Sequence, residues 1–207
     1  MAAIAVVIHP PSPRSTPDGR APDRADAIIV GGGPAGAAAA ILLARAGRRV
    51  VLVDRRSRGR SKCCGHCLHP GAWAVLERLG VASAVRSAAR MELRGVRIHA
   101  PDGACTVPFD ADPARPHVVI PRTALDPLLL ETAEAAGAHV LQPARAVAFR
   151  SIAGGVEVEI RSRTGVGQRI RAEVVIGADG LGSRVAAFAG LGPRRPGRKI
   201  GCGFELP

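Results

Sequence analysis

The sequence predicts an α/β fold in which a parallel βαβ unit opens the ordered part of the chain and antiparallel β segments are inserted farther along. Three observations predict it. A glycine cluster at residues 31–36 stands between a short apolar run and an alanine-rich helical stretch. A second apolar run at residues 50–53 ends in Asp54. Two alternating stretches, residues 94–100 and 105–109, flank Pro101-Asp102-Gly103, which is the pattern of a hairpin.

Taken in order, residues 9–25 are rich in Pro, Ser, Asp and Arg without periodicity, and residues 1–25 read as a flexible leader outside the fold. Order is expected to begin at Asp26, where Ala27-Ile28-Ile29-Val30 is a continuous apolar run of the kind buried on both faces of a sheet. Residues 34–46 read as a helix, because Pro34 suits its first turn, Ile41, Leu42 and Leu43 are apolar, Arg45 lies in the last turn and Gly47 stops it. Val50 to Val53 is the second buried strand. Residues 55–69 form a basic, cysteine-rich loop, and residues 70–79 a short helix begun by Pro70 and ended by Gly80. The hairpin follows, then an apolar stretch at residues 118–120 and a helix at 123–136 with Leu125, Leu128 and Leu129 on one side. Short strands are expected at Val140, 147–149, 156–160, Ile170 and 174–176, the last running into Gly177-Ala178-Asp179-Gly180.

The bulk numbers suit a folded chain. Of 207 residues, 47% are hydrophobic and 22% charged, values ordinary for a globular protein and far from the disordered class. The net charge of +12 comes almost wholly from arginine, since Lys62 and Lys199 are the only lysines. The arginines are scattered, only 2% of residues are aromatic and tyrosine is absent, so the stacking platforms of nucleic-acid binders are missing and no nucleic acid is expected as a partner. Five cysteines, an odd number without a recognisable export signal, argue for a reducing cytoplasm rather than a disulfide framework. The apolar run at residues 1–8 is too short to span a bilayer and lacks a basic start.

Chemistry is concentrated in Gly31-Gly32-Gly33-Pro34-Ala35-Gly36, a G-x-G-x-x-G pattern directly after a strand and before a helix. In a Rossmann-like dinucleotide-binding unit the first glycine permits the tight turn, the second lets the backbone approach a pyrophosphate, and the third lets helix and strand pack closely. The helix N-terminus then offers free N–H groups to the phosphates. Asp54, about twenty residues beyond the glycines at the end of the second strand, is placed to accept hydrogen bonds from the ribose hydroxyls. The glycine pattern alone does not separate FAD from NAD.

The rest of the chain separates them by resemblance. Residues 177–185, GADGLGSRV, resemble the G-A-D-G-x-x-S-x-V segment of FAD-dependent hydroxylases and reductases of the para-hydroxybenzoate hydroxylase fold. Residues 119–126, VIPRTALD, resemble that family's R-x-x-L-D helix start. Lys62-Cys63-Cys64-Gly65 with Leu68 is similar to the K-x-C-G-G-x-L segment of the geranylgeranyl reductase branch, with His66 where the second glycine is usual. The resemblance implies an FAD-binding oxidoreductase, with NAD(P)H as electron donor and a small hydrophobic, unsaturated substrate that brings a peripheral membrane contact. A flavin-dependent monooxygenase is the alternative, and an NAD-binding Rossmann module or a nonfunctional fragment a further one.

The resemblance also implies roles residue by residue. Gly31, Gly33 and Gly36, with Pro34 and Ala35 between them, would hold the FAD pyrophosphate and Asp54 the adenosine ribose, and Arg55 would be a further cofactor-binding residue. Arg122 would reach the cofactor near its ribose and phosphates, where a guanidinium fork suits oxygen acceptors. Asp179 and Gly180 would lie on the flavin side, close to where a nicotinamide donor approaches. The loop from Cys63 to His69 holds three thiols and two imidazoles, enough ligand types for a metal, but no second cysteine pair lies elsewhere and no metal is expected. Cys64 reads as a redox or proton-transfer group or as a small apolar wall, and His66 as an acid or base or as a plain loop histidine.

Relatives of this fold continue beyond the elements found here, so the chain is expected to be the N-terminal part of a longer enzyme, with the C-terminal portion of the usual fold missing. The expected division is a leader at 1–25, a first part of the FAD-binding domain at 26–90, a substrate-domain hairpin at 91–118, a second part of the FAD-binding domain at 119–190 and the start of a truncated substrate domain at 191–207.

Overall fold

The computed structural model describes residues 21–62, 64, 66–110, 112–163, 165 and 167–191, so most of the leader and of the 191–207 segment lies outside the described residues. A six-stranded sheet organises them. Its parallel part comprises β1 (Arg24–Val30), β2 (Val50–Val53), β8 (His139–Leu141) and β11 (Gly167–Gly177), in the order β8-β2-β1-β11. Two antiparallel strands, β10 (Gly155–Ser162) and β9 (Ala144–Ile152), extend it beyond β11.

The parallel strands are apolar throughout because both faces are covered. Ile29, Val50 and Leu52 point to one side, into a core with Ala37, Ala40, Ile41 and Ala44 of α1 (Pro34–Arg45) and Leu129, Leu130 and Ala133 of α4 (Arg122–Ala135). Ile28, Val30, Val51 and Val53 point to the other, where Ala146, Val158, Ile160 and Ile170 of β9–β11 pack against them. This alternation within β1 and β2 is the period of two that a strand imposes.

Three expectations need correction at their edges. The first strand starts at Arg24, not Asp26, because Arg24 and Ala25 pair with Arg171 and Ala172 of β11, and Ala21 is buried as well. The leader expected over 1–25 therefore ends earlier. Ile170 and residues 174–176, read as two strands, belong to one eleven-residue strand that pairs with β10 in its first half and β1 in its second. Exposed Arg169, Arg171 and Glu173 alternate with buried Ile170 and Ala172, which breaks the apolar run without breaking the strand.

Elsewhere the helix expected at 70–79 is a 3-10 turn, Pro70–Ala72, followed by α2 (Trp73–Arg78), and α3 (Ala82–Ala88) was not anticipated. Within the cysteine-rich stretch, β3 (Cys67–Leu68) joins β7 (His117–Val119) and β4 (Met91–Leu93) in a small antiparallel sheet. The hairpin forms as read, β5 (Gly95–Ala100) pairing with β6 (Gly103–Pro108) in a separate two-stranded sheet. Trp73 anchors the base of this region: it is buried and its Nε1–H donates to the Pro116 carbonyl at 2.7 Å.

Candidate functional site

The carboxyl ends of β1, β2 and β11 converge on the glycine turn. Pairing of Val30 with Gly177 sets the end of β1 beside the Gly177–Gly180 segment, joining two motifs far apart in the chain. Gly31 has φ of 111°, and a Cβ there would strike the Ala178 carbonyl and lie 2.8 Å from the Asp179 nitrogen. A Cβ on Gly36 would strike the Gly31 carbonyl oxygen. These two glycines are needed by the fold itself. Gly33 differs: its φ is −79° and a Cβ would meet only a guanidinium nitrogen of Arg122, 3.5 Å away. The missing side chain at Gly33 leaves open space rather than a protein contact.

Helix α1 begins at this opening. Gly33 is its N-cap, no side chain caps it and its first turn holds no acidic residue, so the positive end of the helix faces the opening uncompensated. Asp54 is buried against the turn, accepting from Gly32 N–H at 2.7 Å and from Arg56 N–H at 2.8 Å. Arg60 approaches it, with 3.8 Å between guanidinium and carboxylate.

Arg122, the first residue of α4, reaches over the glycine loop and is gripped by the buried Asp126, Nε donating to Oδ1 at 2.6 Å and Nη2 to Oδ2 at 2.8 Å. The hydrogen bonds to Asp126 raise the Arg122 pKa above its ordinary value against the opposing effect of burial, with a contact to the Cys64 thiol adding to the rise. Cys64 is brought there because Ile120 N–H donates to the His66 carbonyl at 2.9 Å, tying the cysteine loop to the residues just before α4. Asp179 is engaged by its own turn: its carboxylate accepts from Ser183 Oγ at 2.5 Å and from Arg184 N–H at 2.7 Å, and Gly180 takes φ of 77°. Glycine loop, uncapped helix, ribose-type carboxylate and overhanging arginine together fit a pyrophosphate-bearing dinucleotide.

Residues 24–202 match the FAD binding domain family. The chain belongs to that family. It is 30% identical over 183 residues to digeranylgeranylglycerophospholipid reductase 3 of Methanosphaera stadtmanae, covering 87% of this chain and 45% of the relative. It is 33% identical over 184 residues to 6-methylpretetramide 4-monooxygenase of Streptomyces rimosus, covering 86% and 43%. Among solved structures, a geranylgeranyl bacteriochlorophyll reductase-like protein from Thermoplasma acidophilum superimposes with a TM-score of 0.66 at 29% identity, covering 76% of this chain and 40% of that one. The chain spans less than half the length of the curated relatives it matches.

Within this FAD-binding fold, Gly31, Gly33, Pro34, Ala35, Gly36, Asp54 and Arg122 lie at one opening, and Asp179 and Gly180 adjoin them through the backbone. Arg55 is exposed; the arginine standing at Asp54 is Arg60. Cys64 is an exposed free thiol. His66 contributes its backbone, at a left-handed φ of 50°. Sequence reasoning missed Arg60 and Asp126 as members of the site. Nothing in the spacing of Arg55, Arg56, Arg58 and Arg60 marks one of them, whereas Asp126 four residues after Arg122 is a helical ion-pair spacing that could have been read. Among the described residues no group of three or more His, Cys, Asp or Glu could hold a metal, and no helix is long and apolar enough to cross a membrane. A separate cleft of about 300 Å³, lined by Arg24, Arg49, Gly154 and Arg171, involves the opposite end of β1 and none of these residues.

Proposed function

We propose that the protein is an FAD-dependent oxidoreductase of the geranylgeranyl reductase type, reducing carbon–carbon double bonds in a hydrophobic, isoprenoid-like substrate with NAD(P)H as electron source. The observation that carries this reading is the placement of the cysteine loop, a segment resembling the reductase branch, against the start of α4, where Ile120 N–H donates to the His66 carbonyl at 2.9 Å. The alignment over 87% of the chain with an archaeal lipid reductase supports it.

Bound FAD, once reduced, supplies the hydride. The chain's own residues bind and orient. Gly33 and the uncapped start of α1 receive the pyrophosphate, Asp54 accepts from ribose hydroxyls, and Arg122, which reaches Gly33, donates to cofactor oxygens. Saturating a double bond also requires a proton on the second carbon. Cys64, an exposed thiol in the loop tied to the start of α4, is the group assigned to that proton, with His66 of the same loop as its neighbour. A lipid substrate draws the protein to a membrane surface from the cytoplasm.

A second reading, monooxygenation, is favoured by the alignment with the Streptomyces rimosus monooxygenase over 86% of the chain. Anaerobic turnover of the full-length enzyme with a prenylated lipid and NADPH separates the two. Substrate gaining two hydrogens without oxygen supports the reductase; turnover that needs oxygen and leaves a hydroxyl supports the monooxygenase. Cys64→Ala should slow reduction while FAD stays bound, and an unchanged rate would remove Cys64 from the chemistry.

A further inference from the structure

A chain of alternating charges borders the glycine loop and includes Arg60, which lies in no motif, and Asp126, the closing residue of the R-x-x-L-D segment, to which no role has been given. Asp126 is 3% exposed, and both of its carboxylate oxygens are engaged by Arg122. Its Oδ2 also lies 4.0 Å from Arg60 Nη2, and the same Arg60 nitrogen lies 3.8 Å from Asp54 Oδ2. Arg122, Asp126, Arg60 and Asp54 thus alternate in sign, and none of the four side chains is more than 17% exposed. Asp126 belongs to α4 and Asp54 follows β2, so Arg60 couples the helix that carries Arg122 to the carboxylate behind the glycine turn.

Stability does not explain such an arrangement. A buried ion pair is often no more stable than apolar residues of the same volume, because desolvation offsets the attraction. Preorganisation does explain it. A free arginine samples many rotamers, and ordering it when a ligand arrives costs affinity. A bidentate carboxylate fixes the guanidinium plane beforehand, and here it fixes that plane with one nitrogen 3.5 Å from where a Gly33 Cβ would stand.

We propose that Asp126 is a positioning residue of the cofactor site: it locks the Arg122 fork over Gly33 and holds Arg60 at Asp54, so that both guanidiniums are aimed before the dinucleotide binds. The proposal rests on reading the glycine loop as the FAD site.

The test is a double-mutant cycle in the full-length protein, with Asp126→Asn, Arg122→Gln and their combination, titrated with FAD by flavin fluorescence below the melting point of every variant. Asp126→Asn keeps the side-chain shape but turns one acceptor into a donor facing a guanidinium, so FAD should bind about tenfold or more weakly. Because Asp126 acts through the arginines, the combined loss should fall well short of the product of the single losses. Asp126→Asn also leaves the two arginines one carboxylate short, so the salt dependence of binding the anionic FAD should steepen, an effect that loss of fold stability alone would not cause. Unchanged affinity in Asp126→Asn, or losses that multiply, would reduce Asp126 to an element of the helix and overturn the proposal. Wild-type protein that binds no FAD would instead sink the reading of the glycine loop on which it rests.

Discussion

Replacing Asp54 by alanine should do more than remove a ribose acceptor. The carboxylate accepts from two backbone N–H groups, Gly32 at 2.7 Å and Arg56 at 2.8 Å. Gly32 is buried and water does not reach it, whereas Arg56 is exposed and water can replace the lost partner. An unsatisfied buried donor costs about 1–3 kcal/mol, and hydrogen bonds to a charged acceptor lie toward the strong end. Loss of the Arg60 contact at 3.8 Å adds little, since the pair is not in hydrogen-bond geometry. Asp54→Ala should therefore destabilise the flavin-free protein by about 2–3 kcal/mol. Asp54→Asn keeps one acceptor oxygen and should fall between it and wild type. Urea unfolding followed by far-ultraviolet circular dichroism, without added flavin, reads both as shifts in midpoint at constant slope. A change within about 0.5 kcal/mol for Asp54→Ala would mean that the carboxylate does not hold the glycine turn, and the geometric account of this site would be wrong.

The glycines separate fold from ligand in the same way. Gly33→Val should cost about 1 kcal/mol or less, because its backbone suits any residue and a Cβ would meet only the end of Arg122, yet it should abolish FAD retention; retained flavin would show that the pyrophosphate does not pass over Gly33. Gly36→Ala forces a methyl onto the Gly31 carbonyl, and a melting temperature equal to wild type would contradict the close approach of α1 to the turn; the expected cost is about 1–3 kcal/mol. Burial holds the His139 pKa below 6.5, with Glu134 only partly opposing it. The unfolded chain then takes up a proton at higher pH than the folded one, so stability should fall as pH drops below 6.5 toward the folded value. His139→Gln should flatten that limb of the stability profile, and an unaltered limb would assign the acid sensitivity elsewhere.

What could be read from the sequence was local. The glycine pattern, the two strands around it and α1 follow from residue types within a few positions of each other, and the structure places each there, with β1 beginning two residues before and α1 ending one residue before the bounds read from the sequence. The hairpin declared itself through alternation around Pro101-Asp102-Gly103. What was not legible depends on partners distant in the chain. Arg24 and Ala25 are strand residues because β11 lies alongside, and β11 reads as two pieces because its halves pair with different neighbours. The sheet of β3, β4 and β7 joins three short segments, none long enough to show a period. Arg60 is indistinguishable from its neighbouring arginines until the fold sets it between Asp54 and Asp126.

Whether the glycine loop holds FAD is decided by incubating the full-length protein with FAD, removing free ligand by gel filtration and recording the visible absorption spectrum. Flavin bands that travel with the wild-type protein and vanish in Gly33→Val are the predicted result. A protein that elutes folded but colourless, or a Gly33→Val variant as yellow as wild type, would contradict it.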